Sequence, residues 1–131
     1  MLDGMSADGD GRVHGVFVAE SLGPDAELRD LGILVDSVTR VRPEDAAPGQ
    51  PGIWTMITFA AEESRADHLA EVFAKALRPG PWYIDFHSEA TTYVVFAGKA
   101  FRYATGDAEG RGLVVNHARA VGVPEQQLDW R

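Results

Sequence analysis

The sequence contains no cysteine. Disulfides, thiolate nucleophiles and cysteine-held metals are thereby excluded, and the fold must be held by its core alone. It also lacks a long apolar run, since no segment approaches the roughly 20 apolar residues that cross a bilayer. The opening stretch MLDGMSADGDGR places Asp3, Asp8 and Asp10 where a secretory signal would be apolar. Basic residues are outnumbered, 12 Lys and Arg against 20 Asp and Glu, for a net charge of −8. Such a surface repels phosphate backbones, so neither nucleic acid nor a membrane is expected as a partner. A basic protein partner remains open. Together these features predict a cytoplasmic protein.

Catalytic motifs are missing as well. The four histidines, His14, His68, His87 and His117, make no HxH, HxxxH or HExxH pair, so no metal site is predicted. The stretch Gly106–Gly112 has neither the Lys-Ser/Thr of a P-loop nor GxGxxG spacing, and its acidic residues would repel phosphate at a helix start. Asp8-Gly9-Asp10-Gly11 fails as a calcium loop, because Arg12 and Ala19 stand where acidic ligands are needed. No cofactor is implied.

What is present is ordinary for one globular domain: 131 residues, 45% apolar and 24% charged. Residues 1–11 are rich in Gly and Asp and are expected to be disordered, leaving a single domain over 12–131. Strands are predicted over 13–22, 33–42 and 53–60. The second has imperfect alternation near Asp36 and Ser37 that suits a bulge. Residues 43–52, with three prolines and two glycines, read as an exposed loop. A helix is predicted over 62–78, its stripe made by Ala66, Leu69, Ala70, Phe73, Ala76 and Leu77, and Pro79-Gly80 ends it. Three strands follow over 82–104. A second helix is predicted over 108–121, with Asp107 as N-cap and Gly122 just past its end. The order β-β-β-α-β-β-β-α predicts an α+β fold: a mainly antiparallel sheet of about six strands, with both helices on one face in a two-layer sandwich.

Within 82–104, Gly98-Lys99 suits a two-residue hairpin turn. A three-residue loop at Ser88-Glu89-Ala90 would put Trp82, Ile84, Phe86, Val94, Phe96, Phe101 and Tyr103 on one core face. Tyr83, Asp85, His87, Tyr93 and Arg102 would then share the opposite, open face, with Trp54 joining them if the sheet is continuous. These six are the candidate ligand-binding or interface residues. As a pocket, His87 would move a proton, Asp85 orient it and Arg102 hold an anion. As an interface, Tyr and Arg suit contact with a second copy. A plain solvated sheet face is the third possibility.

The strings GPWYIDFHS (80–88), VVFAGKAFRY (94–103), GRGLVVNHARAVGVP (110–124) and QLDW (127–130) resemble an uncharacterised family of small proteins from high-GC bacteria. That resemblance covers the last 50 or so residues. It implies a single bacterial cytoplasmic domain and assigns no catalytic residue. The stretch WTMITFAAEESRADHLAEVFAKAL (54–77) is similar to dimeric ferredoxin-like barrels of the antibiotic-biosynthesis monooxygenase type. Three strands separate the helices here, where that fold has two. The expectation is therefore a binding or assembly module, homodimeric through the open sheet face. The alternative is a small-molecule enzyme or ligand-binding protein with a polar-aromatic pocket on that face.

Overall fold

The computed structural model describes residues 10–131; most of the segment expected to be disordered, residues 1–9, lies outside them. Six strands form one antiparallel sheet: β1 (Arg12–Val18), β2 (Leu34–Val41), β3 (Trp54–Glu62), β4 (Ile84–His87), β5 (Thr91–Phe96) and β6 (Lys99–Ala104). Their order across the sheet is β2-β3-β1-β4-β5-β6, which places β1 at the centre between β3 and β4. Helix α1 (Ala66–Ala76) follows β3, and helix α2 (Ala108–Ala120) follows β6. The α+β class and the element order are those the sequence predicts.

The local chemistry of these elements is readable. In β2 the register slips between Val35 and Ser37, so Asp36 is the extra residue of a bulge. The α1 stripe is buried at all its expected positions. Asp107 caps α2 by accepting from the Glu109 amide at 3.1 Å. Past its last turn, Gly122 has φ 92° and the Val123 amide reaches back to the Ala118 carbonyl at 3.0 Å, closing the helix end.

The placement of the helices corrects the two-layer expectation, because they cover opposite faces. One core, under α1, contains Val13, Phe17, Phe59, Leu69, Phe73, Ile84, Phe86, Tyr93 and Val95. The other, under α2, contains Val94, Phe96, Tyr103, Val114, Ala118 and Trp130. Successive β5 residues thus enter different cores.

The cause is the β4–β5 turn. Ser88 and Thr91 close it with a backbone bond of 2.9 Å, and the Ser88 hydroxyl oxygen accepts from the Thr91 amide at 3.1 Å. Two residues, Glu89 and Ala90, make the loop, not three. Phe86 therefore stands opposite Tyr93, and Ile84 opposite Val95. An odd-to-even change in loop length turns every β5 side chain to the other face. At the next turn Ala97-Gly98 are the central residues, with Gly98 at φ 73°, and Phe96 pairs with Lys99. That departs from the expected Gly98-Lys99 turn by two in pairing, which leaves the faces unchanged.

The sheet is covered unequally. On the α2 side, that helix packs against β6 and the adjoining β5, while β1, β3 and β2 carry no helix. The chain after α2 returns along the boundary of this uncovered area. Arg111 holds it there, donating to the Trp130 carbonyl at 3.1 Å and the Leu128 carbonyl at 3.0 Å. The 43–52 loop, expected to be exposed, is tied to the same tail and buries Ala47. Gln127 Nε2 donates to the Asp45 carbonyl at 2.8 Å, and Gln50 Nε2 donates to the Pro81 carbonyl at 2.7 Å.

Candidate functional site

Strand register decides which candidate residues meet. Pairing of β1 with β4 sets His14 opposite His87 and Val16 opposite Asp85, while pairing with β3 sets Val16 opposite Thr58. Side chains at these positions share the uncovered face. Asp85, His87 and Tyr83 belong to it, and Trp54 shares the parity of Met56 and Thr58. Tyr93 and Arg102 do not: they lie on the α1 side. Tyr93 is buried there against Phe86, and the exposed Arg102 donates from one guanidinium nitrogen to both Asp67 carboxylate oxygens at 3.1 Å. The six candidates therefore do not form one patch; four fall on the groove face and two elsewhere.

Three hollows join along the uncovered face, and Asp85 lines all of them. The widest, about 660 Å³, lies between His14, His87 and Asp85 on the sheet and Asp129 and Arg131 on the returning tail. A second, about 600 Å³, runs over β1 and β3 past Val16, Thr58 and Leu34. The third, about 200 Å³, is walled by Trp54, Trp82 and Tyr83, with Met56 and Val18 at its side and Asp45 and Asp129 at its rim.

Tyr83 fixes the tail end of this groove. Its ring meets Trp130 edge-on at 4.9 Å between centroids. Its hydroxyl donates to the Gln127 carbonyl and to Asp129 Oδ1, the latter at 3.0 Å. Burial, followed by the charges of Asp129 and Asp85, holds the phenol far above its usual range, so it is a fixed donor. The indole N–H groups of Trp54 and Trp130 are buried with no partner among the described residues.

Asp85 is the chemically distinctive group. It is half-buried, and none of the ion pairs among the described residues includes it. Burial, and next the charge of Asp129, push its carboxyl up to about 6. A carboxyl in that range exchanges a proton near neutral pH, where an ordinary aspartate does not. His87 is displaced the other way: partial burial, then the neighbouring His14 and Arg131, lower it below the usual imidazole range. His14 in turn bonds Asp10 Oδ2 at 2.8 Å, and that bond lowers the Asp10 carboxyl. Among the described residues no group of three His, Asp or Glu side chains is placed to hold a metal ion.

Several of these residues had no signal in the sequence. His14 meets His87 only through the β1–β4 pairing, across more than 70 positions of chain. Asp129 was within reach of sequence reasoning, because it adjoins Trp130, the residue that anchors the tail. Asp45 arrives through the Gln127 bond, which nothing in the 43–52 composition foretells. No helix of the described residues is long and apolar enough to cross a membrane. In comparisons with protein-family models, curated proteins and solved structures, no match to this chain was found.

Proposed function

We propose that this chain is a small-molecule binding protein whose site is the groove over β1 and β4, with Asp85 at its centre. The observation that carries this reading is the state of Asp85: a half-buried carboxyl without an ionic partner, facing three adjoining hollows. Unpaired carboxylates removed from water are costly, and they are retained where a ligand completes them. The tail and the 43–52 loop converge on the same groove and give it walls that a flat sheet lacks.

The test is a fragment screen by amide-resolved NMR on the whole chain. Ligands are expected to move the resonances of Val16, Asp85 and His87 together, and Asp85→Ala is expected to remove the response. A broad screen that leaves those resonances unmoved overturns the reading.

Assembly with a second copy has one specific observation in its favour. Leu34, Val35 and Val38, at 57, 56 and 61% exposure, lie on edge strand β2, whose outer side is unpaired among the described residues. An exposed apolar edge favours strand addition. Light scattering at high micromolar concentration tests this: a dimer that Val38→Lys disperses supports it, and a strict monomer ends it.

A further inference from the structure

We propose that the hollow between Trp54, Trp82 and Tyr83 takes an organic ammonium ion, so that the ligand of the groove is a cation. This rests on the groove being a binding site and names the class of molecule it selects. The argument begins with the composition of the wall. Asp45, Asp85 and Asp129 line this hollow, and no Lys, Arg or His does. The groove's basic groups, Arg12, Arg131, His14 and His87, line the neighbouring hollows instead. Basic groups are therefore confined to the rest of the groove, while the carboxylates of Asp85 and Asp129 border both the mixed hollow and the aromatic one.

The second argument is the nature of the remaining wall. The Trp54 and Trp82 rings meet at 5.6 Å and 52°, making a corner and not a flat stack. Aromatic faces attract a weakly hydrated cation through their quadrupoles, Trp most strongly. The half-buried Asp85 and Asp45 add an attraction that their setting strengthens, and the exposed Asp129 adds a weaker one. A hard metal ion favours several converging charged ligands, and no group of three His, Asp or Glu among the described residues is placed to supply them. An anion would face three carboxylates. A neutral apolar ligand would leave Asp85 unpaired.

The third argument is what holds the cage open. Tyr83 is fixed by the Gln127 carbonyl and Asp129, and the 43–52 loop by Gln127 and Gln50. The walls are held before any ligand arrives, which lowers the ordering cost of binding.

Binding of an ammonium beside Asp85 favours the ionised carboxylate. Affinity is therefore expected to rise with pH through the range in which Asp85 loses its proton. The experiment is an NMR titration of the full chain with choline, and in parallel with its uncharged carbon isostere dimethylbutanol. Choline is expected to shift the Trp54 and Trp82 indole resonances and to bind about tenfold tighter than the isostere. Its affinity is expected to fall about tenfold from about pH 7.5 to about pH 5. Asp85→Asn and, separately, Asp129→Asn are expected to weaken choline about tenfold and to weaken the isostere far less. Two variants guard against one of them disturbing the fold. Equal binding of the isostere, or of acetate, at these resonances overturns the cation assignment and leaves the groove reading intact. If choline fails while another compound binds the groove, the cation assignment again falls alone. If no compound from a broad panel binds, both readings fall.

Discussion

Phe86 and Tyr93 stack face to face beneath α1, with ring centroids 4.8 Å apart and planes 10° from parallel. They are direct cross-strand partners, and Phe86 is fully buried, touching Phe59 and Phe73 edgewise or tilted at 6.1 Å. The pair locks the β4–β5 register from the side opposite the groove. Truncation removes both the buried area and the stacking. Phe86→Ala is expected to cost about 3–5 kcal/mol, read by urea denaturation as a lower midpoint with unchanged slope. A loss below about 1 kcal/mol would mean that the pairing is not as described.

Gly15 makes the central crossing of the sheet possible. A Cβ there would lie 2.5 Å from Phe86 Cβ and 2.6 Å from the Asp85 carbonyl oxygen. Neither neighbour is a flexible chain end, so β1 and β4 would have to part. Gly15→Ala is expected to destabilise the protein by about 1–3 kcal/mol. It should also shift the amide resonances of Asp85 and Phe86 more than those of distant β6. A neutral substitution with no local shift would contradict the close approach.

The pH dependence of stability follows from Asp85. Its folded carboxyl, at about 6, lies above the ordinary 3.8. Between those values the folded protein holds more proton than the unfolded chain, so this group's contribution is full below about pH 4 and is lost as pH rises past about 6. Asp85→Asn removes that penalty. The variant is expected to be more stable than the parent by about 3 kcal/mol near pH 8, with the gain nearly vanishing near pH 4. Denaturation midpoints across this range test it; a gain independent of pH would assign the effect to something other than ionisation.

The sequence shows where β5 lies, and it marks both helices, the caps of α2 and the β2 bulge, because each rests on local chemistry. Register is not local. A single core face requires an odd loop at Ser88-Glu89-Ala90, and the two-residue turn that forms instead exchanges Tyr93 with Val94. The run Tyr93-Val94-Val95-Phe96 carried the corrective signal. It is apolar at every position, as in a strand buried on both faces, where a half-exposed strand alternates. Tyr83, Asp85 and His87 are neighbours because they alternate along β4 and the residue leading into it. Tyr93 and Arg102 were lost because their link to that trio passed through the turn.

The tail makes the groove, and Arg111 holds the tail. Its guanidinium donates to the carbonyls of Leu128 and Trp130 and lies over the Trp130 ring, 5.7 Å from the centroid. Trp130 is only 4% exposed, and its ring supports Tyr83 in turn. Arg111→Met keeps the apolar stem but deprives two part-buried carbonyls of their donor. The expected loss is about 1–3 kcal/mol, concentrated at the tail. Hydrogen exchange should quicken at the amides of residues 127–131 while those of β1 and β3 keep their protection. With the tail loosened, the Tyr83 hydroxyl loses its fixed acceptors and the aromatic hollow loses a wall, so any groove ligand should weaken alongside. Unchanged exchange in the tail would show that Trp130 is held by packing alone and that the Arg111 bonds contribute little.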